Sequence, residues 1–284
     1  MNQLNNSLRG VLWMSGAVAS FCLMAVSARQ LLAHMGPFEV VLMRSIVMLL
    51  IIGALVPRAG LAALATRRFG LHFLRNAVHF FGQWAWVFSI GALPLATVFA
   101  IEFTMPVWTV LLAALFLKER ISFPRVVALV LGLAGVLVIL RPGFGFAQAA
   151  AFVTLACSLA YAASLIMTKR LTTTDAPLAV LFWMSVIQLP MGLVASLPQW
   201  VQPSLADLPW IVAVGIGSYT AHYCLTRALK IADASVVVGI DFVRLPLIAV
   251  LGALLYGEAL DPLVFVGAAI IFAGTYFSVS RESR

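Results

Sequence analysis

One long stretch of this chain occurs twice, and that repetition limits its fold more than any other feature. Residues 92–140 read ALPLATVFAIEFTMPVWTVLLAALFLKERISFPRVVALVLGLAGVLVIL, and residues 231–279 read IADASVVVGIDFVRLPLIAVLGALLYGEALDPLVFVGAAIIFAGTYFSV, an offset of 139 positions. In that register Ile101 meets Ile240, Glu102 meets Asp241, Phe103 meets Phe242, Leu112 meets Leu251, Glu119 meets Glu258 and Gly135 meets Gly274. Apolar coincidences are cheap in so apolar a chain, but only 10 Asp and Glu exist in all 284 residues, and two acid pairs still fall in register. The chain reads as one unit of about 140 residues used twice, over residues 1–140 and 141–284.

Composition decides which solvent the unit folds in. Hydrophobic residues make up 63% of the chain, charged residues 10%, and the mean hydropathy is +1.07, more apolar surface than a water-soluble core of this size can bury. Runs long enough to cross a hydrocarbon layer of about 30 Å fall at residues 8–28, 37–56, 70–91, 95–117, 124–140, 147–168, 176–197, 208–229, 234–256 and 263–280. The predicted class is therefore an all-α integral membrane protein with ten transmembrane helices. Short connections carry the punctuation at Pro57, Pro94, Pro142, Pro198, Pro203 and Pro262.

With both termini in the cytoplasm, Arg58, Arg67 and Arg68, Lys118, Arg120 and Arg125, Lys169 and Arg170, Arg227 and Lys230, and the terminal Arg9, Arg281 and Arg284 all lie inside. Only Arg29 and Arg141 then lie in outer loops, as the positive-inside rule requires. The net charge of +8 is thus a matter of orientation and anionic lipid, with no basic patch interleaved with aromatics to suggest nucleic acid. Five helices per unit is odd, so the second unit enters the membrane upside down. Inverted repeats of this kind underlie many secondary transporters.

Several classes drop out. Cys22, Cys157 and Cys224 are solitary, so neither disulfide nor metal site is implied. Phosphate loops ending in Lys-Ser or Lys-Thr, His-Glu-x-x-His and Gly-x-Ser-x-Gly are all missing. No catalytic residue, metal or cofactor is expected, and the chain is not read as an enzyme. Its first ten residues lack the form of a cleaved signal, so the first helix is expected to stay as an anchor.

What remains is a short set of polar groups at membrane depth, where each is costly and marks a pathway or a pair. Arg44 and Glu102 sit at similar depth, roughly 10 Å from the outer surface, and are placed to pair as coupling acid and counter-ion or carboxylate clamp. Asp241 and Arg244 lie three apart on one helix face and can satisfy each other. Asp241 also occupies the repeat position of Glu102, where inverted symmetry places gating or coupling groups. Pro106 and Pro246 follow in the two copies and are expected to bend their helices by freeing a carbonyl.

In the third helix Asn76, His79, Gln83 and Trp86 recur at spacings of three and four, a polar stripe that has to face protein or a cavity. Ser218, Tyr219 and His222 form a similar stripe in the eighth, with His222 at the repeat position of Gln83. Aromatics near these stripes, Tyr161 and Trp183 among them, suit a flat or apolar organic substrate better than an inorganic ion. Gly132, Gly135, Gly267 and Gly274 give the fifth and tenth helices small faces for close packing, between the halves or with a second copy, so the chain is expected as a monomer or homodimer.

The two endings FLKERISFPRVVALVLGLAGVLVI (residues 116–139) and LLYGEALDPLVFVGAAIIFAGTYF (residues 254–277), each a Glu followed by a Gly-containing apolar helix, resemble the close of each half in EamA-type members of the drug/metabolite transporter superfamily. Lys118 departs from that pattern where the second copy has Gly257. The resemblance spans essentially the whole chain. It implies alternating-access movement of small metabolites across a bacterial inner membrane. The HFFGQWAW run and the aromatic interior look most like exporters of neutral and aromatic amino acids. The alternatives are uptake or exchange of a larger flat metabolite such as a flavin or S-adenosylmethionine, or multidrug efflux.

Overall fold

A computed structural model describes residues 2–117, 122–140, 146–231, 237 and 240–282. Lys118, Glu119, Arg120, Arg141, Pro142 and Arg284, all used in the sequence reading, lie outside the described residues. Within them every regular element is helical: α1 (Asn2–Leu31), α2 (Pro37–Ala59), α3 (Phe69–Ala92), α4 (Leu95–Glu102), α5 (Met105–Leu117), α6 (Phe123–Leu140), α7 (Phe146–Leu171), α8 (Pro177–Ser196), α9 (Leu208–Ile231), α10 (Arg244–Tyr256) and α11 (Pro262–Glu282). Helices satisfy their backbone groups internally, which hydrocarbon demands of any spanning segment. Seven stretches are long and apolar enough to cross a membrane: Arg9–Leu31, Pro37–Ala59, Leu95–Leu112, Phe123–Leu140, Ala149–Leu171, Pro177–Gln199 and Pro262–Arg281. α3 and α9, at 24 residues each, are long enough but fall outside that set. They are the two helices that carry the polar stripes.

The predicted fourth span is interrupted beside Pro106. α4 ends at Glu102, a tight turn carries Thr104 N–H to the Ile101 carbonyl at 3.0 Å, and α5 begins at Met105. The equivalent turn precedes Pro246, with Val243 N–H on the Ile240 carbonyl at 3.0 Å and α10 starting at Arg244. Both prolines lack the N–H that would continue the ladder, so the break follows from the sequence. It leaves Glu102 at the last position of α4 and Asp241 just before α10.

Helix pairing follows the duplication. α1 packs along α9 as α3 packs along α7, α2 lies on α8 and α9 while α3 lies on α8, and α6 pairs with α11 and α4 with α10. Exchanging each helix for its repeat counterpart interchanges α1–α9 with α7–α3 and α2–α9 with α8–α3, and returns α2–α8 and α6–α11 to themselves. The correspondence extends to atoms. Phe103 and Phe242, equivalent by the offset of 139, stack on each other with ring centroids 4.2 Å apart. A Cβ on Gly135 would stand 2.5 Å from the Gly267 carbonyl oxygen, and one on Gly274 would stand 3.3 Å from Ala128 Cα. The offset interchanges these two close approaches. They hold α6 against α11 through the small faces of Gly135, Gly267 and Gly274.

Gly257 closes α10 at φ 64°, donating its N–H toward the Ala253 and Gly252 carbonyls, a left-handed cap that glycine adopts without penalty. The reversal returns Glu258 to the bundle.

Candidate functional site

The buried polar residues form two groups between the halves. The first grows from the stripe on α3. Asn76, His79, Gln83 and Trp86 are all buried there, joined by His72, Arg75 and Ser89 on the same face. Across from them Arg44 of α2 donates from Nη2 to Gln188 Oε1 at 2.6 Å and from Nη1 to Ser218 Oγ at 3.0 Å. Gln188 of α8 in turn meets His79 Nδ1 at 2.9 Å. Arg75 donates to Asn76 Oδ1 at 2.6 Å and to Thr168 Oγ1 at 3.0 Å, and Tyr161 donates its hydroxyl to Gln83 Oε1 at 3.1 Å.

The two stripes meet here. The His79 and His222 rings lie 6.2 Å apart and the His79 and Tyr161 rings 5.4 Å apart. Arg44 Nε, Asn76 Nδ2 and Gln83 Nε2 are buried without a hydrogen-bond partner. A cluster this rich in unsatisfied donors holds groups that a ligand's acceptors can complete.

The second group gathers at the helix breaks. Arg244 donates to Glu102 Oε1 at 3.3 Å and to Asp241 Oδ2 at 3.4 Å. Its guanidinium sits over the rings of Phe21, Phe99 and Phe103 at 4.6, 4.9 and 5.0 Å, in the range for cation–π attraction. Trp86 Nε1 donates to the other Glu102 oxygen at 2.8 Å. The same-face pairing of Asp241 with Arg244 is present as read from the sequence. The Arg44–Glu102 pair is not, because Arg44 reaches toward α8 and α9 while Glu102 turns to Trp86 of α3 and Arg244 of α10.

Two polar contacts join distant helices near opposite ends of α3. At its start, His72 Nε2 lies 2.7 Å from Asp175 Oδ2 in the α7–α8 turn. Burial works against the Asp175 charge, but hydrogen bonds from Thr66, His72 and Thr174 prevail and hold its carboxyl below the usual carboxylate range. At the other end, Glu258 takes Arg29 Nη2 at 3.1 Å and the Leu95 N–H at 2.8 Å, while Arg29 also donates to the carbonyls of Ile90 and Leu93.

Not every predicted residue joins a group. Trp183 packs on Phe69 and His72 and donates to the Leu64 carbonyl at 3.0 Å, beside the Asp175 pair and not beside His79. With Phe73, Phe80 and Pro190 it lines an apolar flank cleft of about 690 Å³ between α3 and α8. Tyr219 stacks on Tyr223. Gln188, which links Arg44 to His79, and Arg75 were not among the predicted site residues. Both are polar groups at membrane depth, the signal that flagged Arg44.

A chain with paired helix breaks, buried polar stripes and helices of spanning length invites comparison with known membrane proteins. Residues 8–141 and again 148–280 match the EamA-like transporter family. The chain belongs to that family. It is 25% identical over 281 residues to an S-adenosylmethionine uptake transporter of Rickettsia prowazekii, covering 99% of this chain and 96% of the relative. It is 26% identical over 290 residues to a riboflavin transporter of Vibrio cholerae, covering 100% and 97%, and 33% identical over 231 residues to one of Rhizobium johnstonii, covering 80% and 76%. A crystal structure 18% identical in sequence superposes with a TM-score of 0.66 over 97% of this chain and 99% of the other, a likeness of fold. The protein is a multi-pass membrane transporter of the EamA type with bacterial relatives. Those relatives fit the flat-metabolite alternative better than the amino-acid export that headed the sequence reading.

Proposed function

We propose that this protein carries a flat, heteroaromatic metabolite of the flavin or S-adenosylmethionine type across a bacterial inner membrane by alternating access. The observation that carries this reading is the meeting of the two polar stripes, His79 beside His222, with Tyr161 and Gln83 against them. Its aromatic rings suit a planar ligand and its unpaired donors suit ring acceptors. The full-length similarity to S-adenosylmethionine and riboflavin transporters supports the same class.

The architecture in this proposal is ten spans in two inverted five-helix units, residues 1–140 and 141–284, with both termini cytoplasmic. The self-mapping set of helix pairs and the stacking of Phe103 on Phe242 support it. The polar contacts near the two ends of α3 act as gates that open in turn, and Glu102, with Asp241 beside the other break, is the coupling acid. Substrate binds from Arg44, Asn76, His79, Gln83, Tyr161 and His222.

Proteoliposomes loaded in turn with riboflavin, S-adenosylmethionine, phenylalanine or methionine test the reading by counterflow of the labelled compound. Flux of riboflavin or S-adenosylmethionine is expected. Flux of phenylalanine or methionine alone would return the protein to amino-acid export, and no flux of any would remove the assignment of substrate class.

A further inference from the structure

Arg44 and Arg75 are 2% and 6% exposed, and a guanidinium stays charged at any physiological pH. Among the described residues, the hydrogen-bond partners of these two side chains are neutral: Ser218, Gln188, Thr168 and the Asn76 amide oxygen. Among the described residues no carboxylate bonds to either of them. Arg29 and Arg244 both have carboxylate partners. Burying an ion without a counter-charge costs several kcal/mol, and two of them share one hydrogen-bond network through Asn76, Gln188 and His79. Arg44 Nε and Asn76 Nδ2 remain unpaired within it.

We propose that Arg44 and Arg75 form a binding site for an anionic group, a carboxylate or phosphate, on the transported molecule. This rests on the transport reading above and deepens it, since within the flavin and S-adenosylmethionine class it favours members that carry a carboxylate or phosphate. The planar fork of a guanidinium matches either oxyanion through parallel N–H donors, and the free amide donor of Asn76 supplies another. An incoming anion would neutralise a network that the protein itself leaves cationic. Removing that group from the cargo strands both guanidiniums, so discrimination by charge is expected to be strong.

Matched pairs test this on the purified full chain by thermal shift and equilibrium binding: riboflavin 5′-phosphate against riboflavin, S-adenosylmethionine against its decarboxylated form, and benzoate against benzamide. In at least one pair the anionic member is expected to bind about tenfold or more tightly, the scale of a charge-assisted hydrogen bond. That preference is lost in Arg44→Gln and Arg75→Gln and partly kept in Arg44→Lys. Should those variants fail to fold, Ser218→Asp places a carboxylate on Arg44 from within. It is expected to raise the ligand-free melting temperature and abolish the preference.

A response in the flavin pair assigns a phosphate, and one in the S-adenosylmethionine pair a carboxylate. Discrimination by the benzoate pair alone sustains the anion site while removing the flavin and S-adenosylmethionine reading. Equal binding of both members in every pair overturns the site, as does a preference that survives in the folded arginine variants or in Ser218→Asp. Riboflavin bound equally to all variants does the same and leaves the transport reading intact.

Discussion

Arg244 and Arg44 are both arginines buried at the centre of a helix bundle, yet their surroundings are opposite. Arg244 lies between two carboxylates under three aromatic rings, while the hydrogen bonds of Arg44 among the described residues go to a hydroxyl and an amide. The first arrangement has its charge balanced by carboxylates of the chain itself, and it sits where both helices break. The second has no described counter-charge, and it sits where the polar stripes converge. In the proposed mechanism the first holds the chain together at its helix breaks and the second receives the anionic group of the cargo.

Removing Arg244 should have the largest effect on stability. Arg244→Leu strands Glu102 and Asp241 together in the interior and should cost about 3–5 kcal/mol, read as unfolding free energy in detergent. Glu102→Gln keeps the shape and an acceptor for Trp86, so stability should fall by only about 1–2 kcal/mol. Its functional effect is larger: concentrative uptake into proteoliposomes should disappear while exchange persists, and an unchanged pH dependence of transport would reject Glu102 as the coupling acid.

Asp175, outside the membrane-spanning segments, sharpens the contrast because its carboxylate has hydrogen-bond partners on the chain yet its contribution is small. Asp175→Asn should cost about 1 kcal/mol near neutral pH. The Asp175 carboxyl is held below its unfolded value of about 3.9, so this contribution is present above that pH and is lost as pH falls through the folded value. Unfolding curves of wild type and variant should converge in acid, and a gap that widened there would contradict the assignment. The smallest shift is expected for Arg44→Met, within about 1 kcal/mol of wild type, since no carboxylate is left behind and relief of desolvation offsets two lost hydrogen bonds. A loss as large as that of Arg244→Leu would erase the distinction between the two arginines.

Much of this was legible in the residues because hydropathy and period report on depth and on which face of a helix is polar. The helix breaks at Pro106 and Pro246, the burial of the Asn76–Gln83 stripe and the Asp241–Arg244 pair are all local consequences of spacing along one helix. Which helix a side chain turns toward is set by packing between distant segments. Arg44 and Glu102 were matched by depth alone, and the angle of each about its helix axis sends them to different neighbours. Trp183 was likewise assigned by composition, while its place is fixed by the turn at Leu64.

The most direct test of the account asks whether the α3 stripe faces a path that opens to both sides. With Cys22, Cys157 and Cys224 replaced, a single cysteine at Gln83→Cys can be treated with a membrane-impermeant thiol reagent in right-side-out and in inverted vesicles. The account predicts labelling in both orientations, slowed in each by the transported ligand. Labelling from one side only, or none from either in folded protein, would contradict it.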